Sequence, residues 1–534
     1  MNVLAVIPAR ENSKRIPNKT LRLVNNHPLI YYVIKNALES KYISRIIVTT
    51  NSKEIEILCN QLGVECLIRN PALCTDDTTL DAVVYDVVRR CECDYVVTLQ
   101  PTSPLLKVDS LDRAIEKMMA DKLDTLISVV NYPRLRWMKD ETGVVPTYKE
   151  RVNSQYLRPH YQETGAFIIS KKNVTTELTR IGEKVDLFEV SKEEAITIDT
   201  FQDLALASFI LSQKKIAIYV NGNNQIGMGH IYRSLELADE FYCKPDMYFD
   251  ITQTSRCVFG ETNHELIPVK GVSELLEVVK KKKYDVFIND VLSTSSQYML
   301  QLKENMPETK IVNFEDCGEG SYLADLVINA LYQDAHASNV KIGEKYYIAP
   351  KMFMLYEPIT IRTVVKDVLI TFGGADPQNY SEKILEIIAN DIERYGKYNF
   401  HVVLGRAKKN IEEILKFNRF ANIDIMYDIH DMPAVMSRCD IAITSRGRTC
   451  YELAMMGIPA IAMAQNRREE THGFANHENG FNYLGLKPST AIIKANLDLY
   501  LNSSKAERQA LQNVLLSKDL RNGRERVMHL INSL

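Results

Sequence analysis

Short β-branched runs alternate with amphipathic segments along the 534-residue chain, and this alternation restricts the fold more than any other feature. The first run is Val3-Leu4-Ala5-Val6-Ile7. Arg45-Ile46-Ile47-Val48-Thr49-Thr50 and Tyr95-Val96-Val97-Thr98-Leu99 follow, each after a helical stretch. The first of these stretches sets Leu29, Ile30, Val33, Ile34, Ala37 and Leu38 on one face. Runs apolar on both faces with helices between them predict a doubly wound, mostly parallel α/β sheet. Such sheets bind ligands beyond the C-terminal ends of their strands.

The pattern restarts twice. Gln213-Lys214-Lys215 precedes a fresh run, Ile216-Ala217-Ile218-Tyr219-Val220, followed by a glycine loop and a helix. A third start lies near Val364, where Val368-Leu369-Ile370-Thr371-Phe372 ends in Gly373-Gly374. The expected domains are 1–213, 214–360 and 361–534. The last two read as Rossmann-like halves of a glycosyltransferase-B-type pair with a cleft between them. Lys280–Lys283 reads as a solvated helix end.

A net charge of -3 excludes a global field for nucleic acid or membranes, so polyanions must bind at local sites. The ten cysteines lack metal-type or redox-type spacing, as expected in a reducing compartment. Met1 runs straight into a strand-like segment, which reads as the absence of a secretory leader. No apolar run nears the ~20 residues of a membrane span. A cytoplasmic enzyme is the expectation.

Arg10, Lys14, Arg15 and Lys19 crowd the loop after the first run. Like charges this close repel each other unless a polyanion sits among them, and Pro8 and Pro17 limit the loop's freedom. A solvated basic turn is the alternative. The loop's place at the ligand-binding end of the first strand favours a triphosphate, whose leaving pyrophosphate needs such cations.

The segment Ile7–Lys19 resembles the signature of CMP-N-acylneuraminate synthetases and relatives that activate other nonulosonic acids. The resemblance continues in Thr75–Asp81, Leu99–Leu105, Gln155–Ala166 and Ile198–Leu204. It implies a nucleotide-diphospho-sugar-transferase type of sheet and transfer of CMP from CTP to an acidic nine-carbon sugar. By the same resemblance Arg10, Ser13, Lys14, Lys19 and Thr79 would bind CTP. Gln100, Gln155, Arg158 and Gly165 would meet the sugar. Asp199 would hold Mg²⁺ or another divalent cation, and the N-terminal domain would form a homodimer. Thr20 stands where the family usually has Asn. Thr197 and Asp199 stand where it commonly has two aspartates, which leaves one carboxylate for the metal. Asp199 as a helix cap and Gln100 as a turn amide are the structural alternatives.

In the second half, Gly227-Met228-Gly229-His230 opens a helix-like segment. Glycines allow close approach to a phosphate or sugar, and a histidine at a helix start can serve as a general base or merely cap its helix. Residues 214–490 resemble the nucleotide-sugar hydrolases of pseudaminic acid biosynthesis and the spore-coat polysaccharide proteins. That resemblance implies a UDP-sugar ligand held by Gly227, Gly229, Gly373, Gly374, Thr449 and Glu452, with His230 activating water. Asn221-Gly222-Asn223 departs from the family's Asp-Ala-Ser. Arg446 and Arg448 flank the expected phosphate turn, where small residues are commoner, and could favour a different anion. His472 and His477 border either the sugar or solvent. A glycosyltransferase using the CMP-sugar and a catalytically silent binding module remain alternatives for this half.

Overall fold

The computed structural model describes residues 2–11, 15–75, 77–141, 143–223, 228–332, 337–429 and 431–534. They form two compact units, Met1–Gln213 and Lys214–Leu534.

The first unit is built on one seven-stranded sheet. Its order is Val185–Glu189, Thr125–Asn131, Tyr161–Lys171, Tyr95–Leu99, Val3–Pro8, Arg45–Thr50, Glu65–Ile68. All neighbours are parallel except Tyr161–Lys171, which runs antiparallel to both of its partners. Val3–Pro8 pairs with Arg45–Thr50 on one side and Tyr95–Leu99 on the other. The strand order reverses there, so a crevice opens at the C-terminal ends of Val3–Pro8 and Tyr95–Leu99. Helix Leu29–Glu39 buries Leu29, Ile30, Val33, Ile34 and Ala37. Leu38, expected on that face, is exposed, because it lies in the final turn, where the helix ends at Glu39.

The second unit carries two all-parallel sheets. One has the order Leu266–Val269, Asp246–Asp250, Ile216–Val220, Val286–Asp290, Lys310–Phe314, Leu326–Asn329, Val340–Ile342. The other runs Ile423–Tyr427, Asn399–Leu404, Asp367–Thr371, Ile441–Ser445, Ala460–Ala464, Phe481–Leu486. Each is wound outward from its first strand in both directions, the Rossmann arrangement. Strands such as Ile216–Val220 and Ala460–Ala464 are buried at every position, as expected for sheets covered on both faces. The last helix, Gly523–Asn532, crosses back to the first sheet, where Val527 and Ile531 pack in one core with Ile216, Ile218 and Val286.

Candidate functional sites

In the first unit a cavity of about 380 Å³ opens at the sheet's switch point. Pro8, Arg10, Arg15, Lys19, Thr20, Leu80, Gln100, Pro101 and Thr102 line it. The Lys19 ammonium donates to the Ile198 carbonyl at 2.9 Å and to Asp199 Oδ1 at 3.4 Å. Arg15 reaches the same Asp199 oxygen at 3.1 Å. Burial depresses the Lys19 pKa; Asp199 partly offsets this, while Arg15 and Arg10 add to it. An ammonium so destabilised gains from an anion brought into the cavity. Thr20 is buried, and its hydroxyl donates to the Arg10 carbonyl at 3.3 Å, so this position tethers the basic loop across its base. Ser13 and Lys14 lie outside the described residues.

Asp199 reaches the loop through a chain of local contacts. The Ile198 N–H donates to the Thr102 carbonyl at 2.8 Å. Thr197 Oγ1 accepts from the Gly165 N–H at 3.4 Å and lies 3.5 Å from Ser103 Oγ. Helix Phe201–Leu211 is capped by Thr200, whose side chain forms a capping box with Asp203. Asp199 is therefore not the cap, and its carboxylate is left to the two cations. It is a hard oxygen donor, 42% exposed. A single carboxylate of this kind suits a hydrated Mg²⁺ that takes its other oxygens from water and phosphate. Among the described residues no group of three or more His, Cys, Asp or Glu is arranged to hold a metal.

The other expected residues separate into two groups. Gln100 lines the cavity. Thr79 caps helix Leu80–Val88 by accepting from Ala82 N–H at 3.2 Å, and Leu80 of that helix reaches the cavity. Gln155 and Arg158 are exposed and do not line it. Gly165 lies behind the Gln100–Pro104 turn: a Cβ there would stand 3.0 Å from Ser103 Oγ and 3.2 Å from Thr197 Oγ1. Sequence reasoning missed Arg69, which is buried beside this site and donates to the Thr49 carbonyl at 2.7 Å. Burial lowers its pKa, and the nearby Arg10 lowers it further. Its place at the end of a β-run gave no periodic signal.

In the second unit a cavity of about 210 Å³ lies between the two halves. His230, in the first turn of helix Gly229–Ala238, is 6% exposed and lines it. Its Nδ1 lies 2.6 Å from Asp290 Oδ1 at the end of Val286–Asp290. A carboxylate only accepts, so Nδ1 carries the proton and Nε2 keeps a lone pair. Burial lowers the His230 pKa despite Asp290, which keeps the ring neutral near pH 7. Arg233 clamps Asp290 through Nε at 2.9 Å and through Nη2, and it reaches Glu315 at 3.0 Å. Burial alone would raise the Asp290 pKa, yet Arg233 and His230 hold it well below the usual carboxylate range. Glu315 takes a left-handed backbone at φ 52° and accepts from the Ala330 and Leu331 N–H groups, so the clamp is anchored in turn. Asp290, Arg233 and Glu315 were not singled out in the sequence, where each reads as part of an ordinary strand end or helix.

Gly229, Gly373 and Gly374 line this cavity; Gly227 lies outside the described residues. A Cβ on Gly229 would stand 2.9 Å from Arg448 Cδ, so glycine lets that side chain pass. Thr449 and Glu452 are not among the lining residues; Ser445, Gly447 and Arg448 are. Burial pushes the Glu452 carboxyl up to about 7, against the pull of Arg448. The two arginines have structural partners. Arg446 donates to the Ala475 and Glu470 carbonyls and stacks on Tyr483. Arg448 donates to the Ile348 carbonyl over the Tyr347 ring. His472 is buried in the cavity wall with Nδ1 2.8 Å from the Arg446 carbonyl, whereas His477 is exposed.

Residues 4–222 match the family model described as cytidylyltransferase. A Helicobacter pylori protein named pseudaminic acid cytidylyltransferase and UDP-2,4-diacetamido-2,4,6-trideoxy-beta-L-altropyranose hydrolase is 24% identical over 488 residues. The match covers 87% of this chain and 88% of that one. The spore coat polysaccharide biosynthesis protein SpsG of Bacillus subtilis is 25% identical over 263 residues, covering 47% of this chain and 77% of the relative. An N-acylneuraminate cytidylyltransferase of Streptococcus agalactiae is 29% identical over 221 residues, covering 38% of this chain and 52% of its own. The chain thus carries an N-terminal cytidylyltransferase domain fused to a domain like those of UDP-sugar hydrolases and spore-coat polysaccharide proteins. No helix among the described residues is long and apolar enough to cross a membrane.

Proposed function

Starting from that fusion, we propose that the first unit transfers CMP from CTP to a nonulosonic acid with release of pyrophosphate, and that the second hydrolyses a UDP-sugar. The observation that carries the first half is the Lys19–Asp199–Arg15 cluster at the mouth of the Gln100 cavity. On CTP binding, Lys19 and Arg15 exchange Asp199 for phosphate oxygens, with Arg10 beside them. Asp199 is then free to hold Mg²⁺, which supplies charge neutralisation to the phosphates when bound. The anomeric hydroxyl attacks the α-phosphorus, and the cations stabilise the pyrophosphate that leaves. Gln100 contacts the sugar from the cavity wall.

Gln155 and Arg158 are assigned to sugar bound in a dimer, where exposed residues of one protomer approach its partner. The hairpin of Trp137–Asp140 and Gly143–Pro146 supports this assembly. It exposes Trp137, Met138 and Val144, apolar side chains that a partner would cover.

For the second unit, the His230–Asp290 couple supports hydrolysis over a silent module. His230 Nε2 takes a proton from water, and Asp290 steadies the imidazolium that forms. The resulting hydroxide attacks the sugar's anomeric carbon, and UDP leaves. Incubating the protein with CTP, Mg²⁺ and sialic, legionaminic or pseudaminic acid tests the first assignment by pyrophosphate release. The absence of release with all three defeats it. UDP release from a UDP-diacetamido sugar, unchanged in His230→Ala, would defeat the second.

A further inference from the structure

The second unit's cavity contains a carboxyl for which the hydrolysis scheme has no use. Glu469 lies in the loop after Ala460–Ala464 and lines the cavity. Its Oε2 accepts from the Gln465 N–H at 2.9 Å, and its own N–H donates to Asn466 Oδ1 at 3.0 Å, so the loop fixes its position. Its Oε1 faces the turn before helix Thr449–Met456, 3.8 Å from where a Gly447 Cβ would be. Free backbone N–H groups gather at such a turn, where a phosphate would sit. We propose that Glu469 is a ligand of the nucleotide diphosphate and binds it as a neutral carboxylic acid, giving its O–H to a phosphate oxygen beside Gly447. This rests on the reading of the cavity as a nucleotide-sugar site.

A carboxylate in that place would repel the diphosphate. A carboxylic acid removes the repulsion and adds a donor. The surroundings favour the acid form: burial pushes Glu469 up to about 7, although the Gln465 N–H, Arg468 and Arg446 pull it down. The other charged groups on the cavity are already engaged. Arg448 is on the Ile348 carbonyl, Arg468 on the Tyr332 hydroxyl, Arg233 on Asp290 and Glu315, and Asp376 on Lys408. Burial holds His472 down at about 4 and lowers His230, so both are neutral near pH 7. The Cys450 thiol and the Tyr380 and Tyr483 phenols close to Glu469 have raised pKa values from burial and are neutral too. Glu452, which burial also pushes up to about 7, does not line the cavity, so Glu469 is the group that takes up a proton when a diphosphate arrives.

The test is calorimetry of UDP binding to the full chain between about pH 7.5 and 9, in pairs of buffers with different ionisation enthalpies. Wild type is expected to take up protons on binding and to lose UDP affinity by about tenfold per pH unit relative to Glu469→Gln. The Gln variant keeps the donor without the titration, and its affinity should stay level. Equal proton uptake and equal pH slopes in the two proteins would overturn the proposal. Should the variant fail to fold, a flat wild-type affinity over the same range overturns it, since UDP's own phosphate titrates at lower pH. Failure of UDP to bind either protein overturns the nucleotide reading beneath it, an outcome distinct from binding without proton uptake.

Discussion

His230 and Asp290 meet at 2.6 Å across two different elements, the first turn of a helix and the end of a strand, and Arg233 one helical turn on holds the same carboxylate. The contact sets which imidazole nitrogen faces the cavity with its lone pair. Asp290→Asn takes away the charge that steadies the imidazolium. UDP release from a UDP-sugar should fall by about 10²–10⁴-fold. The change also strips Arg233 of a buried partner, at about 3–5 kcal/mol of stability. Steady-state kinetics on the folded fraction, with a denaturation curve beside it, separates the two effects.

The pH dependence of that activity follows from the direction of the His230 shift. Its folded pKa lies below the unfolded value of 6.5, because burial disfavours the imidazolium. The neutral ring therefore contributes stability that is complete above the unfolded pKa and is lost as pH falls through it toward the folded one. On the acid side UDP release should decline only at pH values below 6.5, and above neutrality it should show the loss expected of Glu469. A pH profile of kcat/KM with its acid limb above that point would contradict the assignment.

Lys19 and Asp199 are expected to act together on CTP. Lys19→Ala removes a cation from the developing pyrophosphate and should cost about 10²–10³-fold in CTP turnover. Asp199→Asn should weaken the Mg²⁺ dependence, read as a higher metal concentration at half-maximal rate. Neither change should alter UDP release by the second unit.

Gly165→Ala tests the latch that delivers Asp199. The added methyl meets Ser103 Oγ at 3.0 Å and Thr197 Oγ1 at 3.2 Å, and making room should cost about 1–3 kcal/mol. The Thr102–Ile198 contact is then displaced, so CTP turnover should fall further than the loss of folded protein explains. Thermal melting and pyrophosphate release on the same sample provide the comparison.

Much of the architecture was legible in the chain because buried parallel strands are written as continuous apolar runs, as at Val3–Ile7 and Ile216–Val220. Of the four cations read as one basic loop, Arg10, Arg15 and Lys19 line one cavity, and Lys14 lies outside the described residues. Partners brought together by the fold were not legible. Asp290 ends a buried strand, and nothing around it in sequence points to His230, 60 residues away. Arg446 and Arg448 read as cations beside the phosphate turn that could favour a different anion, and only three dimensions reveal the carbonyls and rings that engage them. The antiparallel course of Tyr161–Lys171 and the return of Gly523–Asn532 to the first Rossmann half depend on where distant segments pack. Neither leaves a periodic trace.

The most direct measurement is mass spectrometry of the products formed by the full chain from CTP, Mg²⁺ and each nonulosonic acid in turn. The account predicts a CMP-sugar with an equal amount of pyrophosphate for at least one acid, and no nucleotide-sugar when ATP replaces CTP. Pyrophosphate without a CMP-linked sugar, or no turnover of CTP with any of the acids, would contradict it.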